Sequence, residues 1–220
     1  MTTLTNAPCA DVLARLFAEA DASDARLDAW TNALPTSERA ELMAGTGNFR
    51  QFYGQLKDYH LAVSRSTASL LYILARSCRA KTIIEFGTSF GVSTLHLAAA
   101  LRDNGGGRLI GTEFEATKAA QARENVTAAG LGGLVEIREG DALQTLASDL
   151  PELVDLVLLD GAKPLYLSIL SMLEARLHAG SLVVADNADR TPEYLARVRD
   201  SASGFLSVPF AGDVELSMRL

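Results

Sequence analysis

Cysteine is scarce in this chain: Cys9 and Cys78 are the only two among 220 residues. Isolated at that separation they make no metal-type spacing and no disulfide framework, which points to reduced thiols. Histidine is nearly as rare, and His60, His96 and His178 lie far apart on what read as separate helical segments. A histidine metal site or a Ser-His-Asp triad is therefore not expected. Basic residues are outnumbered, 20 against 27 acids for a net charge of −7, and they are scattered. Phosphate binding wants a basic face, so DNA and RNA are excluded as main partners. No apolar run approaches the ~20 uncharged residues of a membrane span. Met1 to Ala10 lacks the basic-then-apolar pattern of a secretion signal. The expectation is a cytoplasmic protein with neither a nucleic-acid nor a membrane partner.

What is present is enough apolar material, 48% of 220 residues, to bury one substantial core, for which one domain is the natural count. Two textures follow one another. The first part reads as helical, with apolar residues at helical spacing in Asp11-Val12-Leu13-Ala14-Arg15-Leu16-Phe17. Pro35-Thr36-Ser37-Glu38 predicts a second helix start, with a hydroxyl cap and an acid in the first turn. Gly45-Thr46-Gly47-Asn48 breaks the pattern, and an aromatic stretch (Phe49, Phe52, Tyr53, Tyr59) leads to a helix near Ser66 to Cys78. From Thr82 onward, β-branched apolar runs alternate with helical ones. Strands are predicted near 82–86, 108–113, 134–138, 154–160, 181–186 and 205–209, with Val214 to Arg219 last. Val92 to Leu101 and Ala116 to Ala129 read as intervening helices, and Gly105-Gly106-Gly107 as a flexible turn. Such alternation specifies a parallel sheet with right-handed crossovers.

In a parallel sheet the strand C-termini line one crevice, where ligands bind, and five of these strands end in chemistry. Glu85-Phe86-Gly87-Thr88-Ser89-Phe90-Gly91-Val92-Ser93 closes the first. Its G-x-x-x-G spacing departs from the G-x-G-x-x-G of dinucleotide binders and lacks the Lys-Ser/Thr ending of a phosphate loop. Glycine there lets a ligand approach the main chain, and Glu85 just before it suits a cationic or amino-bearing ligand. Glu113 closes the second strand, where a carboxylate can accept both hydroxyls of a ribose. Gly140-Asp141-Ala142 after the third would then sit beside an adenine ring. Asp160 closes the fourth, and Asp186-Asn187 the fifth. Taken singly, each has a plain structural alternative as a turn, a cap or a solvated charge. Their succession along one edge carries the information.

On these residues, Thr82 to Leu220 resembles the class I S-adenosylmethionine-dependent methyltransferases. More narrowly, it resembles the small-molecule O-methyltransferases typified by catechol and caffeoyl-coenzyme A O-methyltransferase. The similarity takes in the helix from Ser64, while the N-terminal stretch aligns with nothing. The resemblance implies an α/β fold: one Rossmann-like methyltransferase domain with a mostly parallel seven-stranded sheet, an antiparallel last strand, and N-terminal helices before it. Residues 1–63 would serve the acceptor side or a subunit contact, and residues 64–220 would bind S-adenosylmethionine. Cofactor contacts are implied at Val63, Glu85, Gly87, Ser89, Ser93, Glu113, Asp141, Ala142 and Asp160. Divalent-metal ligation falls on Asp160, Asp186 and Asn187, and catalysis on Lys163 with Asp160. A small aromatic acceptor and a homodimer belong to the same expectation.

The implied chemistry is coherent. Two carboxylates and an amide are hard oxygen donors, suited to Mg²⁺ or Ca²⁺ rather than zinc, and they leave room for the two oxygens of a diol. A phenol ionises near a pKa of about 10, and more readily on a dication. Lys163 would remove that proton, and the oxyanion would attack the sulfonium methyl in line, most of the acceleration coming from positioning. Gly161 and Ala162 are small where catechol O-methyltransferase carries bulky residues, so a differently shaped acceptor pocket is expected. The aromatic group Phe49, Phe52, Tyr53 and Tyr59 reads as core or interface packing, with walling of an aromatic acceptor as the second role. The alternatives are a metal-independent methyltransferase acting on oxygen or nitrogen, and a catalytically silent cofactor-binding module. An NAD-dependent dehydrogenase is opposed by the glycine spacing. Lys163 together with all three metal ligands argues against silence.

Overall fold

The structure, a computed structural model, describes residues 2–36 and 53–220. Its central strands come from runs that are apolar on both faces. β1 (Thr82–Phe86), β2 (Arg108–Glu113) and β4 (Val154–Leu159) are buried along nearly their whole length, as strands covered by helices on both sides must be. With β3 (Val135–Glu139), β5 (Leu177–Ala185), β6 (Phe205–Phe210) and β7 (Val214–Arg219) they form a seven-stranded sheet in the order β3-β2-β1-β4-β5-β7-β6. Pairing is parallel from β3 to β5, and β7 enters antiparallel between β5 and β6. This is the expected Rossmann-like sheet with an antiparallel last strand. Its order reverses at β1, where Ile83 pairs with Leu109 on one side and Leu156 on the other. A reversal of this kind opens a crevice beyond the carboxyl ends of the strands.

β5 differs from expectation, starting at Leu177 rather than Ser181. Its first residues carry no apolar alternation and are held by side chains instead. Ser181 Oγ donates to the Val154 carbonyl at 2.7 Å and accepts the His178 N–H at 2.9 Å. His178 therefore lies on a strand, not on the helical segment expected for it. The Gly105–Gly107 turn, expected to be flexible, is tied by Lys81 Nζ, which donates to the carbonyls of Asn104 at 2.6 Å and Gly106 at 3.2 Å.

The helices are α1 (Cys9–Ala33), α2 (Arg65–Ser77), α3 (Val92–Asp103), α4 (Ala116–Ala128), one-turn α5 (Ala142–Thr145), α6 (Tyr166–Leu173) and α7 (Pro192–Arg199). Ser64 caps α2, its Oγ accepting the Thr67 N–H at 3.0 Å. α3 is buried from Val92 to Leu101 because α1 and α2 cover the side that the sheet does not. Val12, Leu13 and Leu16 of α1 join Val63, Phe90, Leu95 and Ala119 in one apolar cluster. Each such side chain contributes about 1.5–3 kcal/mol on burial, so the three together rival the ~5–15 kcal/mol net stability of a domain. α1 therefore shares the core of the sheet and its helices. Ser37, Glu38, the Gly45-Thr46-Gly47-Asn48 break, Phe49 and Phe52 lie outside the described residues. Among the described residues no helix is long and apolar enough to cross a membrane.

Candidate active site

The backbone stays tied beyond the strand ends. The Gly87 and Thr88 N–H groups both donate to the Thr112 carbonyl, at 3.2 and 3.0 Å, and the Asp160 N–H donates to the Phe86 carbonyl at 2.8 Å. The Asp186 N–H reaches the Leu159 carbonyl and the Gly140 N–H the Glu113 carbonyl, each at 2.9 Å. One continuous rim therefore carries Gly87, Glu113, Gly140, Asp160 and Asp186. Gly87 sits at φ +97°, and a Cβ there would run into the Asp160 carbonyl. The position needs glycine twice, for its conformation and for its space.

Glu85 is placed differently from the expectation that it meets an amino-bearing ligand. Its carboxylate is fully buried beneath the turn and accepts from Ser93 Oγ at 2.6 Å, Thr94 Oγ1 at 2.5 Å and Thr88 Oγ1 at 3.0 Å. Burial pushes this carboxyl up to about 6, against the pull of the three hydroxyls. Glu85 lines neither of the two cavities above the turn. It fastens the end of β1 to the start of α3 and so braces the turn from below.

The larger cavity is open to solvent and is lined by Gly87, Ser89, Glu113, Asp141, Ala142 and Asp160. Tyr53 and Leu61 wall it from the segment before α2, and Lys118 walls it from α4. A smaller cavity of about 250 Å³ is lined by His60, Leu61, Ala62, Ser89 and Ser93. Glu113 accepts the Ser89 N–H on Oε2 at 2.7 Å and the Glu115 N–H on Oε1 at 2.8 Å, leaving lone pairs for ligand hydroxyls. Asp141 caps α5 through the Leu143 N–H at 3.0 Å. Val63 is buried in the apolar cluster and lines neither cavity. Ser89 Oγ and His60 Nδ1 are buried with no hydrogen-bond partner among the described residues. An unpaired buried polar atom costs about 1–3 kcal/mol, so these two mark where a polar ligand would complete the wall. Open lone pairs, a glycine with no room for a side chain and unsatisfied polar atoms together fit S-adenosylmethionine.

Gly87-Thr88-Ser89-Phe90-Gly91 also has the G-x-S-x-G spacing of the serine-hydrolase nucleophile turn, between a strand and a helix. The structure decides against that role. Ser89 Oγ and His60 Nδ1 share a cavity, yet neither bonds the other, and the His60 ring is stacked on Phe90 with centroids 4.0 Å apart. His96 is bonded within α3 to the Val92 carbonyl, and His178 pairs with Asp155.

The other half of the crevice holds the expected acids and lysine. Lys163 Nζ donates to Asp160 Oδ1 at 3.2 Å, to Tyr166 Oη at 2.7 Å and to the Asp186 carbonyl at 3.2 Å. Tyr166 Oη donates to that same carbonyl at 2.8 Å. The Asp160 and Asp186 carboxyls face each other closely enough to share a proton; burial pushes both up, and Lys163 opposes it. A dication would satisfy such a pair without the shared proton. Asn187 follows in the left-handed region at φ 50°, ψ 41°, which asparagine tolerates better than most residues. Among the described residues no three His, Cys, Asp or Glu side chains group as a metal site, so a cation here would rest on two carboxylates and the Asn187 amide. That oxygen donor set fits Mg²⁺.

Gly161, expected to reshape the acceptor side, is small because the Phe86 ring already fills the space of a side chain. The aromatic group divides: Tyr53 lines the larger cavity, while Tyr59 packs beside Trp30 of α1, centroids 6.4 Å apart. The Tyr53 phenol accepts the Lys163 backbone N–H, and burial pushes it up to about 12. Tyr166 went unread in the sequence although it follows Lys163 by three residues, a spacing that places both on one helical face. His60 and Lys118 had no local signal, since each reaches the crevice only through the packing of distant elements.

The model of the Methyltransferase domain family matches residues 84–188. The catechol O-methyltransferase of Niastella koreensis is 37% identical over 142 residues, which are 61% of this chain and 62% of that protein. The catechol O-methyltransferase of Mycobacterium tuberculosis is 31% identical over 141 residues, 64% of this chain and 63% of that protein. The chain thus matches less than two thirds of the length of either relative. Among solved structures, the O-methyltransferase TomG from Streptomyces achromogenes, involved in tomaymycin synthesis and in complex with SAM, is 25% identical with a TM-score of 0.65, over 91% of this chain and 98% of that one. The O-methyltransferase from Bacillus cereus in complex with SAH shares the fold at 19% identity and a TM-score of 0.66, over 93% of this chain and 100% of that one. The matched methyltransferase domain spans the rim from β1 to β5, and over that region the chain is similar to class I S-adenosylmethionine-dependent O-methyltransferases.

Proposed function

We propose that the chain transfers the methyl group of S-adenosylmethionine to a hydroxyl of a small catechol-like or other phenolic acceptor, with divalent-metal assistance. The observation that carries the reading is the Asp160–Lys163–Tyr166–Asp186 network on the rim of the larger cavity. The turn from Gly87 to Ser93, Glu113, Asp141 and Ala142 hold the cofactor. Asp160, Asp186 and Asn187 would hold the cation, whose charge when bound favours the ionised form of an acceptor hydroxyl. Lys163 takes that hydroxyl's proton at Nζ. Its bonds to Tyr166 Oη and the Asp186 carbonyl fix the direction from which it does so. Tyr53 and Leu61 cover the cavity and exclude water, and the acceptor oxygen, held in line, displaces the thioether.

Residues 64–220 bind the cofactor in this reading, and residues 1–63 serve the acceptor side or a subunit contact. Tyr53, His60, Leu61 and Ala62 on the cavity walls support the acceptor side. A cytoplasmic homodimer completes the proposal, and sedimentation of a clean monomer at micromolar concentration would count against it. The metal-independent alternative draws support from Lys163, whose ammonium already neutralises part of the Asp160–Asp186 pair. The test is methyl transfer to a panel of catechols and monophenols with Mg²⁺ and after exhaustive chelation. Turnover of catechols that needs Mg²⁺ is expected. Full activity after chelation removes the metal, and no transfer to any phenol removes the activity.

A further inference from the structure

Lys118 is a charged side chain that nothing so far has used. It is buried to 4% exposure, lines the larger cavity, and stands with Nζ 5.4 Å from the centroid of the Phe90 ring. Among the described residues no carboxylate or carbonyl lies within bonding distance of this ammonium. A buried lysine without a partner is expensive, so an unpaired one facing a cavity asks what completes it. Burial pulls its pKa down, and Glu113, Glu115 and Asp58 act against that pull. Those three acids, with His60 stacked on the same Phe90 ring, make up its titratable surroundings. They would repel a phosphate or a carboxylate arriving there.

Glu113 and Lys118 line the same cavity without touching each other. An ionised glutamate only accepts hydrogen bonds and an ammonium only donates them. A hydroxyl does both. A neutral vicinal diol is therefore the group that satisfies both residues at once, without adding charge to an acidic neighbourhood.

We infer that Lys118 is a cofactor-binding residue, its ammonium donating to a ribose hydroxyl oxygen of S-adenosylmethionine while that hydroxyl donates to Glu113. The inference rests on the proposed function, because it takes the nucleoside as the occupant of the larger cavity. Phe90 sets the ammonium's position from below, and α4 delivers it from the turn that follows Glu113.

The test is calorimetric titration of the full chain with S-adenosylhomocysteine and with its 2′-deoxy and 3′-deoxy analogues. Lys118→Met keeps the stem that packs over Phe90 and removes the donor. Its affinity for S-adenosylhomocysteine is expected to fall about ten-fold or more, the loss of one charge-assisted hydrogen bond. One deoxy analogue, lacking the hydroxyl concerned, should bind wild type and Lys118→Met alike. Thermal denaturation of the free protein should show Lys118→Met at least as stable as wild type, since a buried charge has gone. Should that variant not fold, Lys118→Gln, which keeps a donor, is titrated in its place and should lose less than ten-fold. Unchanged affinity for S-adenosylhomocysteine overturns the inference, and so does an equal loss for all three ligands. If wild type itself binds no S-adenosylhomocysteine, it is the proposed function that falls.

Discussion

The two halves of the crevice handle acidic side chains in opposite ways. On the β1–β2 side, Glu85 is satisfied by three hydroxyls and Glu113 by two backbone N–H groups, one to each oxygen. Both carboxylates are locked before any ligand arrives, and both brace the same glycine turn. On the β4–β5 side, burial raises the pKa of the Asp160 and Asp186 carboxyls, and Lys163, bonded to Asp160, opposes it. That half holds a charge imbalance that a proton, a cation or a substrate must settle. The difference teaches a division of labour. Binding needs fixed acceptors, while proton transfer needs groups whose ionisation is left open to change.

The comparison breaks most visibly at Lys163. Lys163→Met should lower turnover by roughly 10²–10⁴-fold, the range of a lost general base, while calorimetric affinity for S-adenosylhomocysteine stays within two- to three-fold. A parallel loss of cofactor affinity would show that the halves are not separate. The reciprocal change is smaller. Glu113→Ala removes hydrogen bonds to a charged group worth about 1.5–3 kcal/mol each, so cofactor affinity should drop ten-fold or more. Saturating cofactor should restore most of the turnover, and an unchanged dissociation constant would take Glu113 off the site.

The smallest effect lies at the opposite end of the sheet, where no ligand is involved. His178 Nε2 contacts Asp155 Oδ1 at 3.0 Å, and Asp155 Oδ2 accepts the N–H groups of Lys81 and Thr82. The Ala179 carbonyl, then Asp155, raise the His178 pKa. Burial pushes Asp155 up, but the N–H bonds and His178 outweigh it and leave it below its ordinary value. A raised histidine contributes stability below its unfolded value of about 6.5 and loses it as pH rises through the folded one. A lowered aspartate contributes above its unfolded value of about 3.9 and loses it as pH falls through the folded one. The pair therefore contributes most between those two unfolded values. Urea denaturation of wild type and His178→Gln should differ more near pH ~5.5 than near pH ~8.5, by a small margin because His178 is partly exposed. A difference that ignores pH would leave the contact without electrostatic weight.

Much of the molecule was legible one residue after another. Strand positions followed from β-branched apolar runs, because a strand covered on both faces must be apolar throughout. Gly87, Glu113, Asp160, Asp186 and Asn187 stood out because parallel strands all deliver their ends to one edge, so order along the chain already implies proximity, and Lys163 was added by the family resemblance. Asp160 and Lys163, three residues apart, needed no tertiary information to meet. The start of β5 did, since His178 to Ser181 has no apolar period and is held by a serine bridging two strands.

What the chain alone determined was therefore the sheet, the crevice and the identity of the groups on its rim, all consequences of local periodicity and of the parallel connection rule. Only the tertiary structure decided which of those groups are free to act. Glu85 reads as a ligand in the sequence and proves to be a brace, because Ser93 and Thr94 come over it when α3 packs down. Gly161, read in the sequence as reshaping the acceptor pocket, lines the larger cavity and has no room for a side chain because the Phe86 ring lies against it. Lys118 and His60, which carry no local signal in the sequence, end up on cavity walls, brought there by α4 and by the segment before α2. Burial and hydrogen-bond satisfaction depend on neighbours distant in the chain, and those no spacing rule can supply.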